Sequence, residues 1–294
     1  MKLAWIFRND EEDRLRALWR ILGMQAILVL ALLILEEYVA AWIAPLLAPP
    51  GVLVMDAVSA VFAFSLSAWL AAHLFDHRPF EDLGFHLSWR WGRQLGAGLL
   101  LGTVLAALVF AAGLALGLLR VTGVGSGTAL ALPLLALLVV SASAAYTEEL
   151  LARGYLLRNL LEGLDFSRSW RRLTAALAVL LSSLLFALPQ ARAGYGSALA
   201  LLAFGVLCAA AALRTGELAL PIGLHLAWSF CQGLVTGLPG GGSLLRLELS
   251  GPAWLVGGAG GLQAGLLGLA AALLGLALLA LRRPARSPQS SAAR

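Results

Sequence analysis

Apolar residues run through this chain in long unbroken blocks separated by short polar segments. Blocks near the ~20 residues that a bilayer-crossing helix needs lie at 21–47, 52–75, 95–119, 129–150, 173–189, 196–213, 217–238 and 254–281. They are continuous rather than alternating, so they predict helices and not the strands of a β-barrel. The expected fold class is all-α: a polytopic membrane helical bundle of about eight transmembrane helices. Residues 1–20 are charged and amphipathic, with Arg8, Asp10, Glu11, Glu12, Asp13, Arg14, Arg16 and Arg20. They lack a cleavable-signal pattern, so the first block reads as a retained anchor. The polar tail after Leu281, with Pro284 and Pro288, is expected to be disordered. No internal repeat is strong enough to indicate an inverted-repeat transporter.

Composition turns this pattern into a statement about solvent. Of the 294 residues 60% are hydrophobic and 13% charged, with a mean hydropathy of +0.87. Soluble domains carry about 25% charged residues, so lipid is the expected solvent. The net charge of +5 does not indicate nucleic acid, because the basic residues sit in short blocks flanking apolar runs. If the N-terminus is inside and the spans alternate, 18 of the 21 basic residues fall on inner segments, leaving Arg120, Arg192 and Arg246 outside. That asymmetry predicts both termini in the cytoplasm. Only Lys2 among these residues is lysine, which suggests a GC-rich bacterial genome and hence a bacterial cytoplasmic membrane. Trp89, Arg90, Trp91 and Arg93 read as an interfacial anchor for the third span. Cys208 and Cys231 lie in apolar segments without metal spacing and read as packing residues.

Ionisable residues inside apolar runs mark candidate chemistry, because charge is costly in a bilayer. Glu148-Glu149-Leu150-Leu151-Ala152-Arg153 closes the fourth run. Glu149 and Arg153 are four apart and share a helix face, so they can pair. Glu148 points about 100° away from Glu149 and is left to face a cavity; solvated charges at a helix end are the plain alternative. His225 lies in an apolar helix with Ser229 one turn on. The two are either packing residues or donors to a developing oxyanion. Gln190 follows Pro189 at the end of the fifth run and on its own reads as a helix terminus. Glu36, Glu37 and Asp56 read as interfacial or structural, with a channel or transporter role as the alternative. His73 and His77, also i, i+4, read as a solvated helix end rather than a metal site.

Taken in order, three segments resemble a known family. EELLARGYLLRNLL at 148–161 fits an E-E-x-x-x-R motif, LSSLLFALPQ at 181–190 aligns with F-x-x-x-H, and LRTGELALPIGLHLAWSF at 213–230 looks like H-x-x-x-N with the preceding Arg-Thr-Gly turn. These are motifs of the CAAX prenyl protease and bacteriocin-processing (CPBP, Abi) family of intramembrane proteases, and the likeness runs from about Ala129 to Gly240. It implies a core domain over 129–240, preceded by an amphipathic segment and three spans (1–128) and followed by a final span region (241–281) and a cytoplasmic tail (282–294). It also implies an intramembrane endopeptidase with Glu148 as the water-activating base, Glu149 and Arg153 as its supporting pair, and His225 as an oxyanion donor.

The sequence departs from the motifs twice. Gln190 stands where the family has histidine, and Ser229 where it has asparagine. Gln190 can orient a water but cannot shuttle a proton, whereas Ser229 still donates a hydrogen bond. The family is often labelled metalloprotease, but with Gln190 in that position the motifs retain two carboxylates and one imidazole, and a tightly bound metal is not expected. The cofactor is therefore left open. The expected partners are the lipid bilayer and a peptide or membrane-protein substrate, with no nucleic acid; the family name does not fix the substrate. The runner-up reading is a catalytically impaired relative, a membrane scaffold or immunity-type protein.

Overall fold

The structure is a computed structural model that describes residues 4–9, 13–125, 130–164, 170–188, 195–236 and 244–281, the side chains of 4, 5, 195–197 and 259 excepted. The tail at 282–294 and Gln190 lie outside the described residues.

A helical segment stands at each of the eight apolar blocks. α1 spans Ala17–Leu35 and continues through a π turn and a 3₁₀ turn to Leu46. α2 is Pro49–Leu74, opened by proline in its first turn, where no amide partner is needed. α3 is Trp89–Ala115, capped by the Ser88 hydroxyl, which accepts from the Trp91 amide at 3.2 Å. α4 is Ala131–Glu149; a π-helical stretch, Leu150–Leu156, joins it to α5, Leu157–Gly163. α6 is Arg171–Ala187, α7 is Tyr195–Thr215, α8 is Ala219–Thr236 and α9 is Leu266–Leu281. Among the described residues five helical stretches are long and apolar enough to cross a membrane: 17–46, 49–74, 89–115, 131–163 and 198–215. The protein is a polytopic helical membrane bundle.

Two features differ from the hydropathy pattern. The last block, 254–281, is helical throughout only from Leu266. Gly257, Gly258 and Gly261 take positive φ, which breaks the helix, and hydropathy does not register this because glycine is nearly neutral on such scales. Within the all-α frame there is also a small antiparallel ribbon. β1, Leu119–Val124, pairs with β2, Leu245–Leu249, placing Arg120 opposite Glu248 and Arg246 opposite Gly123.

α8 is the central element. It packs against α3, α4 and α7, and its Leu224 and Trp228 join Leu105, Leu207, Cys208 and Ala272 in the main core. Its contact with α3 is glycine-made. A Cβ on Gly98 would collide with the Leu220 carbonyl oxygen, one on Gly102 with that of Leu224, and one on Gly223 with that of Leu95. Small residues of this kind let helix backbones approach closely inside membranes.

The two ends of the bundle differ in chemistry. At one end Arg20, 2% exposed, pairs with Asp76 and with Glu162 (2.9 Å), and Glu162 also takes Arg78 (2.7 Å). At that same end the His86 ring meets Glu217 at 3.1 Å and the Leu218 amide donates to Gly84 O at 3.0 Å. These contacts gather residues 20, 76–86 and 162, from segments that alternation assigned to one side, with Glu217 at the start of the seventh block. The β1–β2 ribbon joins two of the segments assigned to the other.

Candidate active site

Three helices converge on one buried carboxylate. Glu149, the last residue of α4, is fully buried. Its Oε1 accepts from Arg153 Nη1 at 2.8 Å and lies 2.9 Å from His225 Nδ1. Arg153, 1% exposed, sits in the π-helical stretch and sends Nη2 to the Gly205 carbonyl on α7 at 2.8 Å. Its guanidinium carbon stands 4.4 Å above the centre of the Phe186 ring, a cation–π arrangement. An isolated buried charge is heavily penalised; here the carboxylate has two cationic or polar donors and the guanidinium has a carboxylate, a carbonyl and a ring face.

His225 is held just as closely. Phe186 and Phe204 present edges to its ring at 5.7 and 5.4 Å, at 81° and 76°, and Phe204 stacks on Trp228 at 5.2 Å. A carboxylate at Nδ1 assigns that nitrogen as the donor. The other nitrogen, Nε2, then faces Glu148, whose Oε2 is 3.9 Å away. The Glu148 side chain is 34% exposed, so of the two adjacent carboxylates only this one reaches solvent to any extent.

Four of the six sequence candidates therefore meet: Glu148, Glu149, Arg153 and His225. Ser229 lies half-buried one turn beyond His225 on α8, and among the described residues no hydrogen bond joins it to either carboxylate. Gln190 lies outside the described residues. Glu36, Glu37, Asp56, His73 and His77 are exposed and stand apart from this cluster.

Residue-by-residue reading missed part of the surround. Phe186 was present as the aromatic of the second motif, but its position under a guanidinium has no signature in spacing. Phe204, the Gly205 carbonyl and the fully buried Cys208, which sits beside Glu149, carry no motif at all. The π-helical stretch that follows Glu149 was equally invisible, although such turns recur at functional sites.

The donor set does not fit a resident zinc. Glu149 Oε1 is committed to Arg153 and His225 and its Oε2 is buried, so among the described residues Glu148 and His225 Nε2 are the ligands the cluster can turn outward, and catalytic zinc takes three protein ligands. Among the described residues no group of three or more His, Cys, Asp or Glu side chains is arranged to hold a metal. The chemistry the cluster can perform is acid–base: an accessible carboxylate facing an imidazole whose far nitrogen is anchored on a buried ion pair.

Residues 128–231, roughly a third of the chain, match the family model described as Rce1-like, type II CAAX prenyl endopeptidase. That model is one of the CPBP family, to which the segment is similar. The segment contains all four clustered residues together with Gln190 and Ser229. No curated protein and no solved structure gives a significant match.

Proposed function

We propose that this chain is an intramembrane endopeptidase that hydrolyses a peptide bond of a peptide or membrane-associated protein, with Glu148 as the base. The observation that carries the reading is the asymmetry around His225: Nδ1 rests on the buried Glu149–Arg153 pair, and Nε2 faces the partly exposed Glu148 at 3.9 Å. Two carboxylates in contrasting environments are suited to different roles. Glu149 is out of reach of water and orients the imidazole. Glu148 accepts a proton from a water whose oxygen attacks the scissile carbonyl carbon. The carbonyl π electrons move onto oxygen, where His225 acts as the oxyanion donor and stabilises the charge. Collapse of the intermediate breaks the C–N bond, and the leaving amine takes its proton from Glu148. A cavity of about 240 Å³ lined by Arg153, Arg158 and Glu217 lies toward the charged end of the bundle, and the basic-residue asymmetry supports a cytoplasmic face for that end. Substrate is accordingly expected from the cytoplasmic side.

The test is cleavage of membrane-tethered peptides by purified protein in proteoliposomes, wild type against Glu148→Ala. Equal cleavage by the two ends the proposal. A second reading has one specific observation behind it: Gln190 replaces the motif histidine. On that reading the protein is a non-catalytic membrane scaffold or immunity-type protein. Gln190→His then creates a proteolytic activity that the natural protein lacks, and any Glu148-dependent cleavage by the wild type excludes it.

A further inference from the structure

A second cavity, larger than the one beside Arg153, lies away from the Glu149 cluster. It has a volume of about 680 Å³ and lies between α3, α8, β2 and the glycine-rich turn before α9, with Ala107, Phe110, Cys231, Val235, Leu247 and Leu262 among its walls. That size is in the range of small-molecule sites, about 300–1,000 Å³. Thr103 and Ala107 line it yet remain exposed, so the cavity opens sideways from the bundle, toward the hydrocarbon of the membrane.

Its polar lining side chains are Thr103, Gln232, Thr236, Arg246 and Gln263. β2 alternates Leu245, Leu247 and Leu249 with Arg246 and Glu248, so its leucine face covers the cavity while Arg246 stands exposed at the rim. The ribbon register sets Arg120 opposite Glu248 but sets Arg246 opposite a glycine, Gly123. Among the described residues Arg246 has no carboxylate partner. Gln263, also lining the cavity, keeps a buried Oε1 with no hydrogen-bond partner among the described residues. An apolar chamber with one uncompensated cation at its mouth and one unsatisfied acceptor in its wall is complementary to an amphiphile with an apolar tail, an anionic head and a hydroxyl.

We propose that this cavity binds one acyl chain of an anionic phospholipid, with Arg246 meeting the phosphate and the hydroxyl-bearing headgroup lying toward Gln263. The arrangement makes the β1–β2 ribbon a lipid clasp at the end of the bundle opposite the buried Arg20–Asp76 pair. It owes nothing to the proteolytic reading of Glu148 and is tested without it.

The full chain is purified in mild detergent, depleted of lipid, and offered dioleoyl phosphatidylglycerol or dioleoyl phosphatidylcholine. Native mass spectrometry then counts the lipid retained. The wild type is expected to hold one phosphatidylglycerol, about fivefold in preference to phosphatidylcholine, the scale of one basic residue acting on an anionic lipid. Arg246→Glu is expected to erase the preference. Ala107→Trp and Thr103→Trp each fill the chamber and are expected to abolish retention of both lipids; monodisperse elution and helical circular dichroism identify which of them folds. Retention by a folded chamber-filling variant equal to that of the wild type overturns the proposal. So does an unchanged headgroup preference in Arg246→Glu, or no lipid held by the wild type.

Discussion

His225 Nδ1 lies 2.9 Å from Glu149 while Nε2 of the same ring faces Glu148 at 3.9 Å, so one imidazole separates two sequence-adjacent carboxylates into a buried role and an accessible one. This asymmetry makes the two glutamates experimentally distinguishable. Glu148 is 34% exposed, and glutamine keeps a polar group opposite His225 Nε2. Glu148→Gln is therefore expected to keep thermal stability within about 0.5 kcal/mol of wild type while lowering kcat by about 10²–10⁴, the range of a general base. Thermal melts and single-turnover cleavage of a tethered peptide check the two halves separately.

Glu149 and Arg153 should behave in the opposite way, failing through the fold. Removing one partner leaves the other charge buried at 0–1% exposure, a loss of about 3–5 kcal/mol. Arg153→Met and Glu149→Leu are each expected to lower the melting temperature sharply. The double variant removes both charges and is expected to recover much of that stability, while cleavage stays absent because Nδ1 of His225 has lost its anchor. A double-mutant cycle on stability, with activity measured alongside, separates these outcomes; additive stability losses contradict a direct ion pair.

The ease with which these two features could be read in the sequence differs for a physical reason. Glu149 and Arg153 are four residues apart, and helix geometry alone brings them together. His225 is 76 residues from Glu149, and no local periodicity encodes that approach; only the ordered motifs suggested it. The Gly205 carbonyl that accepts from Arg153 is backbone, which any residue offers, so no side-chain pattern announces it. The eight helical positions were legible because bilayer-spanning segments must be long and apolar. The break at Gly257–Gly261 and the short β1–β2 ribbon were not, since glycine is almost invisible to hydropathy and the alternation in Leu245–Leu249 lasts only five residues.

The glycine contact between α3 and α8 supplies a further prediction, because α8 carries His225. Gly102→Leu and Gly223→Val place side chains against the Leu224 and Leu95 carbonyls. Overpacking of this kind costs about 1–3 kcal/mol and moves α8 relative to α4, so activity should fall further than stability. Gly92 and Gly96 lie on α3 with open space where a methyl group would sit, no atom approaching it within 4 Å. Alanine at either is expected to stabilise by up to about 1 kcal/mol, the helix-propensity difference, with cleavage unchanged. Equal effects at 96 and 102 are inconsistent with a close α3–α8 contact.

The last prediction concerns how much chain the site requires. The family match begins at residue 128, but the elements that support Glu149 begin earlier. Arg20 on α1 is 2% exposed and binds Asp76, just past α2, and Glu162 on α5. The Tyr155 hydroxyl, near the end of the π-helical stretch that carries Arg153, donates to the Arg20 carbonyl at 3.2 Å. The segment bearing the buried ion pair is thus pinned from outside the matched region. Arg20→Met leaves Asp76 buried without its cation, and a loss of about 3–5 kcal/mol is expected. Paired with Asp76→Leu, the same change is expected to restore much of the stability. Removal of residues 1–76 exposes the apolar faces of α4 and the π-helical stretch that pack on Met24 and Ala68, and the remaining chain is expected to aggregate on extraction. Size-exclusion chromatography in detergent tests this directly: a monodisperse, active fragment starting after residue 76 shows that the N-terminal helices are dispensable and that the Arg20 contacts only decorate the core.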